Sequence, residues 1–195
     1  MRVVLVRHPA PLIASGICYG RLDISLSPDG VVAVEVIAAR LAEFTADIVW
    51  SSPARRCTML ADAIAGARGL PRRNDARLLE LDFGEWEGLP WDNVPRNALD
   101  IWAADPLAFA PPGGESGADL IARVASFHAD IVARSRDCVV VSHGGPLKLL
   151  TALLCGDTLD LLAPAPALGS INYVASADKT THSTTISVAP NTSPV

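Results

Sequence analysis

Two widely separated segments of this chain end in the same way. RVVLVRH (2–8) and CVVVSH (138–143) each run through aliphatic, mostly β-branched residues and then deliver a histidine. An apolar run with no polar face fits a strand buried on both sides. Both faces of a sheet can be covered only if helices pack above and below it, so strands and helices should alternate along the chain.

The rest of the sequence supplies that alternation. SPDG (27–30) opens a helix with Ser27 as N-cap and Pro28 in the first position, and Val34, Ile37, Ala38 and Leu41 form its apolar stripe. DIVWSSP (47–53) reads as a second strand running into a second helix, capped by Ser52 and begun by Pro53. Cys57, Leu60, Ala61 and Ile64 give that helix its buried face, and GLP (69–71) stops it. A third strand is expected near 76–81. Residues 83–114 are rich in Trp, Pro and Gly and form a long irregular segment with one short helix near 95–104. Segments of this length in compact domains are usually functional. Residues 115–135 make an amphipathic helix with Leu120, Val124, Phe127 and Ile131 on one face. A further helix runs from Pro146 to Leu154, and alternation over 170–188 predicts a hairpin. The expected architecture is a three-layer α/β/α sandwich around a mostly parallel sheet. It forms one domain over 1–188, with 189–195 a frayed tail.

Composition narrows the function. The net charge of −5 argues against a nucleic-acid partner, which normally needs a basic face. No apolar stretch reaches the ~20 residues of a membrane span, and no signal peptide is visible. The four cysteines, Cys18, Cys57, Cys138 and Cys155, have neither zinc nor C-x-x-C spacing and are expected to be reduced. The expected location is the cytoplasm, and a small anionic substrate stays possible, because a few local arginines can outweigh the global sign. A homodimer through an apolar loop or edge strand is allowed.

In an α/β sandwich, ligands bind beyond the carboxyl ends of the strands. Four segments fall there: RH (7–8), SSPARRC (51–57), LLELDFGEWEG (78–88) and SHGGPLK (142–148). They offer His8, His143, up to three arginines and at least one carboxylate. Such a set is poor at holding a metal cation but suits a phosphoryl dianion, which Arg meets through bidentate hydrogen bonds. Taken singly, each segment has an ordinary structural explanation, and their coincidence on one rim argues for a site. His128, on an amphipathic helix, and His182, at a hairpin tip, lack that setting.

These segments, in this order, resemble the histidine phosphatase superfamily, whose fold is called phosphoglycerate-mutase-like. That family carries an Arg-His pair after its first strand, matched by Arg7 and His8. Its second arginine lies three residues after the proline of S-S-P-x-x-R, which selects Arg56 over Arg55. Its acid matches Glu80, and its second histidine, in S-H-G-G, matches His143. GGES (113–116) matches a pocket-edge motif. Within the superfamily, GICYGRLDISLSPDG (16–30), RRCTMLADAI (55–64) and SHGGPLK resemble the α-ribazole phosphatases, which remove the 5′-phosphate of α-ribazole phosphate in cobalamin assembly. The chain departs from the commoner pattern at RHPAP, where RHGET is usual, at Ala14, and at Lys148, where Arg is commoner.

The resemblance implies a phosphomonoester hydrolase that acts on a small phosphorylated metabolite and needs no metal or cofactor. His8 would attack phosphorus and become a phosphohistidine. Arg7, Arg56 and a protonated His143 would hold the phosphoryl oxygens, and Glu80 would serve the leaving group and then the water. Tyr19, Arg21, Trp91 and Trp102, together with Trp86 and Phe109, are candidates for contacting the rest of the substrate. A phosphoglycerate mutase, a broad-specificity metabolite phosphatase and a non-catalytic phospholigand module remain as alternatives.

Overall fold

The computed structural model describes residues 1–175. Five strands form one sheet: β1 (Arg2–Arg7), β2 (Ile48–Ser51), β3 (Arg72–Asn74), β4 (Cys138–Ser142) and β5 (Ile171–Ala175), in the order β3-β2-β4-β1-β5. β1, β2, β3 and β4 are mutually parallel, and β5 runs antiparallel to β1. The mostly parallel sheet and the layers are those the sequence implies. Helices α1 (Pro28–Arg40) and α2 (Arg55–Gly66) cover one face, burying Val34, Ile37, Leu60 and Ile64 against Val4, Val49 and Val141. Helices α4 (Gly117–Arg134) and α5 (Gly144–Cys155) cover the other, where Val124, Phe127, Leu147 and Leu150 meet Val3, Leu5 and Val140. The short α3 (Arg96–Ala104) lies in the irregular segment.

Register fixes what the sheet presents at its carboxyl edge. Arg7 of β1 stands opposite Ser142 of β4, so the next residues, His8 and His143, emerge side by side. Ser51 of β2 stands opposite Val141, which brings Ser52 to the same level. The backbone N–H groups of His8 and Ser52 still donate into β4, to the carbonyls of Ser142 and Val141.

Three local expectations need correction. The third strand is Arg72–Asn74 rather than 76–81: the Asp75 carboxylate accepts the Arg77 N–H at 2.9 Å and winds Ala76–Leu78 into a single 3-10 turn. The second helix begins at Arg55 with Ala54 as N-cap, because the Ser52 hydroxyl is engaged by His143. The Asp23 carboxylate, from the first loop, accepts the Arg55 N–H at 2.8 Å instead. The last helix starts two residues before Pro146, with His143 as N-cap. The other starts follow the sequence: Ser27 accepts the Gly30 N–H, and Ser116 forms a capping box with Asp119. The second arm of the expected hairpin, His182 and the expected tail lie outside the described residues.

No helix among the described residues is long and apolar enough to cross a membrane. Phe127 is the aromatic centre of the α4 face, fully buried and edge-on to Trp50 at 5.7 Å. Phe127→Ala should cost about 3–5 kcal/mol, through lost transfer free energy and the cavity left behind. Urea denaturation of the two proteins measures this as a drop in midpoint at unchanged slope.

Candidate active site

The carboxyl edge of the sheet opens into a cavity of about 240 Å³. Arg7, His8, Glu80 and Lys148 line its polar side, with Arg56 and His143 buried immediately behind. His8 is 1% exposed, and its Nδ1–H donates to its neighbour's carbonyl, Pro9 O, at 2.7 Å. That bond fixes the tautomer and leaves Nε2 with its lone pair. Burial, reinforced by Arg56 and Arg7 and opposed by the Pro9 bond, lowers the His8 pKa to about 3. The imidazole is therefore neutral at physiological pH.

His143 lies edge-on to His8, ring centroids 5.1 Å apart, and its Nε2 shares a 2.8 Å hydrogen bond with Ser52 Oγ. Burial first, then Arg56, His8, Arg7 and Arg123, push its pKa well below the ordinary value. That lowering acts against the protonated His143 that the sequence reading expects. His143 is buried among cations, and among the described residues no carboxylate is bonded to it.

The two arginines carry the strongest electrostatic statement of the site. Arg56 is fully buried and donates to the backbone carbonyls of Leu22 and Gly20, both at 2.7 Å. Its guanidinium lies under the Tyr19 ring, 5.5 Å from the centroid. Arg55, one step round the helix, is exposed and turned away. Arg7 donates to the Pro166 carbonyl. Among the described residues neither arginine has a carboxylate partner, and both Nε–H groups are buried without an acceptor. Two guanidiniums without a carboxylate, Arg7 lining the cavity and Arg56 buried behind it, suit an anionic guest.

Glu80 sits at the N-terminus of α5, where the Gly145 N–H donates to both its carboxylate oxygens, at 3.1 and 3.2 Å. Any Cβ at position 145 would strike Oε1, which explains the second glycine of SHGG. The Glu80 backbone is held from below. Arg123 donates to the carbonyls of Arg77, Leu79 and Glu80, and Arg21 donates to Glu80 O at 2.8 Å. Both arginines converge on the Glu115 carboxylate of GGES. A second carboxylate, Glu87, accepts the N–H groups of Arg21, Leu22 and Phe83 and so shapes the loop whose carbonyls hold Arg56.

Tyr19, Trp91 and Trp102 line the cavity, with Ile17, Phe83 and Leu161. Arg21 does not: its guanidinium is committed to Glu115 and Glu80, so it supports the floor and does not face the mouth. Trp86 and Phe109 do not line the cavity: they stack on each other, and Trp86 is buried with Cys18 and Val94 behind Phe83, Trp91 and Trp102. Sequence reasoning missed Ser52, Glu87, Glu115 and Arg123 as supports. Their signal was present only as polar residues flanking motifs, with nothing to indicate which backbone they would hold. Among the described residues no three metal-ligating side chains converge.

Residues 3–187 match the Histidine phosphatase superfamily (branch 1). The chain belongs to that superfamily. As a member it is a phosphatase, and its relatives carry that activity in their names. Phosphoserine phosphatase 1 of Hydrogenobacter thermophilus is 30% identical over 162 residues, covering 80% of this chain and 77% of the relative. Glucosyl-3-phosphoglycerate phosphatase of Mycolicibacterium vanbaalenii is 32% identical over 190 residues, covering 89% and 82%. Among solved structures, the α-ribazole phosphatase of Shigella flexneri superposes with a TM-score of 0.82 at 25% identity, covering 92% of each chain. A mycobacterial glucosyl-3-phosphoglycerate phosphatase in complex with inorganic phosphate gives 0.78 at 28% identity, covering 89% of each.

The support beneath this phosphatase's Glu80 makes a pH prediction. Burial raises the Glu115 carboxyl, but hydrogen bonds and charge from Arg123, with Arg21 and the Asp82 N–H, outweigh it and hold the pKa below the usual range. A depressed carboxyl stabilises the fold above its unfolded pKa, near ~4.3, and that contribution is lost as pH falls through the folded value. Glu115→Gln should cost about 1.5–3 kcal/mol at pH 7. It should also make stability fall less steeply below about pH 4.3, read from urea midpoints across pH.

Proposed function

We propose that this phosphatase hydrolyses phosphomonoesters through a phosphohistidine on His8, without a metal, and that its substrate carries a flat or apolar body of the α-ribazole 5′-phosphate kind. The observation that carries the chemistry is the pair of guanidiniums, Arg7 and Arg56, held by backbone carbonyls alone beside a histidine whose tautomer leaves Nε2 free. A phosphoryl dianion would supply the counter-charge that both guanidiniums lack. His8 Nε2 attacks phosphorus in line, a P–N bond forms and the ester P–O bond breaks, while the proton on Nδ1 stays there, donated to Pro9 O. Arg7, Arg56 and His143 meet the equatorial oxygens, where charge must be stabilised as the bonds exchange. The dianion acts on His143 in the opposite sense to burial and the arginines. Glu80 gives a proton to the leaving oxygen, then takes one from the water that attacks the phosphohistidine. Phosphate and neutral His8 are regenerated.

The lining of the leaving-group side supports the substrate class. It is built from Ile17, Tyr19, Phe83, Trp91, Trp102 and Leu161. An amino-acid or glycerate body needs partners for its carboxylate. The cation available besides Arg7 in that lining is Lys148, which already donates to the carbonyls of Leu161 and Ala163. An aromatic body instead gains stacking of roughly 0.5–1.5 kcal/mol per contact. The names of the sequence relatives favour a second reading, a carboxylate-bearing phosphomonoester met by the remaining Lys148 proton.

A substrate panel tests both readings. α-Ribazole 5′-phosphate should surpass phosphoserine, 3-phosphoglycerate and glucosyl-3-phosphoglycerate in kcat/KM, with the difference chiefly in KM. A carboxylate-bearing compound at the head of the panel overturns the substrate assignment. Acid-quenched enzyme should carry phosphate on His8, and label on Glu80 or His143 overturns the mechanism. Arg56→Ala should lower kcat/KM by on the order of 10²–10³ or more, whereas Arg55→Ala should leave it nearly unchanged. Activity should survive exhaustive EDTA treatment.

A further inference from the structure

A second cavity, of about 360 Å³, lies at the opposite edge of the sheet, where β2 and β4 begin. Its floor is apolar: Ile48, Trp50 and Ile131, with Trp50 only 8% exposed. Its rim carries three arginines from three places in the chain. Arg73 comes from the edge strand β3, Arg134 from the last turn of α4, and Arg136 from the turn into β4. Asp47 is the carboxylate on that rim. A net positive groove on a chain of net charge −5 is itself a contrast.

The state of those guanidiniums sharpens it. Arg2, Arg21, Arg72, Arg77, Arg96 and Arg123 each meet a carboxylate within ion-pair distance. Among the described residues Arg73 and Arg136 have no hydrogen-bond or ion-pair partner, and Arg134 has only the face of Trp50, 5.9 Å from its centroid. The α4 carbonyl end gives Arg134 a structural reason to stand where it does. It gives none for Arg73, whose strand neighbour Arg72 turns to the other face and pairs with Asp62.

We infer that this groove binds an organic molecule with two or more phosphate groups, its body against the Ile48–Trp50–Ile131 floor and its phosphates on Arg73, Arg134 and Arg136. Guanidinium forks suit phosphate oxygens bidentately, and three of them exceed what one phosphate needs. An apolar floor with a few convergent charged groups is the composition of a small-molecule site. The groove is separated from the active site by the length of the strands, so its occupant is distinct from the phosphomonoester substrate.

Calorimetric titration of the full chain with α,β-methylene-ADP and with methylenediphosphonate, neither of which contains a hydrolysable P–O–P bond, tests the inference. Active-site occupancy is read separately, as inhibition of p-nitrophenyl phosphate turnover. α,β-Methylene-ADP should bind at a second equivalent beyond the inhibitory one. In the Arg73→Ser/Arg134→Ser/Arg136→Ser variant that equivalent should weaken about tenfold or more, with turnover and inhibition unchanged. Methylenediphosphonate, which has no body to lay on the floor, should bind the groove several-fold more weakly. A single equivalent in the wild type, an unaltered second equivalent in the variant, or equal groove affinity for the two probes overturns the inference. Should the triple variant fail to fold, Arg136→Ser alone must still weaken the second equivalent by several-fold, and no change there is equally fatal.

Discussion

The active edge of this protein depends on an arginine that the fold buries without a counter-charge. Arg56 is 0% exposed and is held by two carbonyls of the first loop, and its Nε–H has no acceptor. Burying an uncompensated charge costs several kcal/mol, so packing elsewhere must outweigh it. The two apolar layers on either face of the sheet supply that surplus. The unfavourable electrostatics are concentrated at one edge, where the proposed dianion would relieve them. Burial first, and then the same cations, favour the neutral imidazole at His8 and at His143. A neutral imidazole has a lone pair to give, so the field that attracts phosphate also readies the group that would attack it.

Carboxylates are kept off the buried guanidiniums and used one step away. The Glu87 carboxylate shapes the loop of residues 20–22 by accepting the N–H groups of Arg21 and Leu22, and that loop's carbonyls hold Arg56. Glu115 binds Arg21 and Arg123, and those two arginines hold the backbone of Glu80. A direct ion pair to Arg56 would satisfy the charge and remove the demand for phosphate. Routing each negative charge through backbone dipoles gives rigidity without neutralising the site.

The sequence made the sheet legible because burial on both faces leaves an unbroken apolar run, and Val3–Val6 and Val139–Val141 are such runs. His8 and His143 were legible because each directly follows one of these strands. β3 was misplaced because its strand, Arg72–Asn74, is a short polar edge with no periodic signal. The start of α2 was misread because a Ser-Pro pair looks like a helix cap, whereas the Ser52 hydroxyl belongs to His143. Arg21 was taken for a substrate contact on its place in the first loop. Its true neighbours, Glu80 and Glu115, lie 59 and 94 residues away, and one sequence holds no record of that distance being closed.

The strap between α5 and β5 shows the same economy of charge. Its carbonyls at Leu161 and Ala163 accept from Lys148, and that at Pro166 accepts from Arg7. Pro164 and Pro166 bring no N–H of their own, so the strap cannot pair as a strand and relies on donors from the site. Leu161 reaches the cavity wall against Gly117, where any Cβ would collide with it. The cations that line the pocket therefore also fix one of its apolar walls. Arg7 at Pro166 and Lys148 at Leu161 thus tie the proposed phosphate edge and the leaving-group wall to one strap.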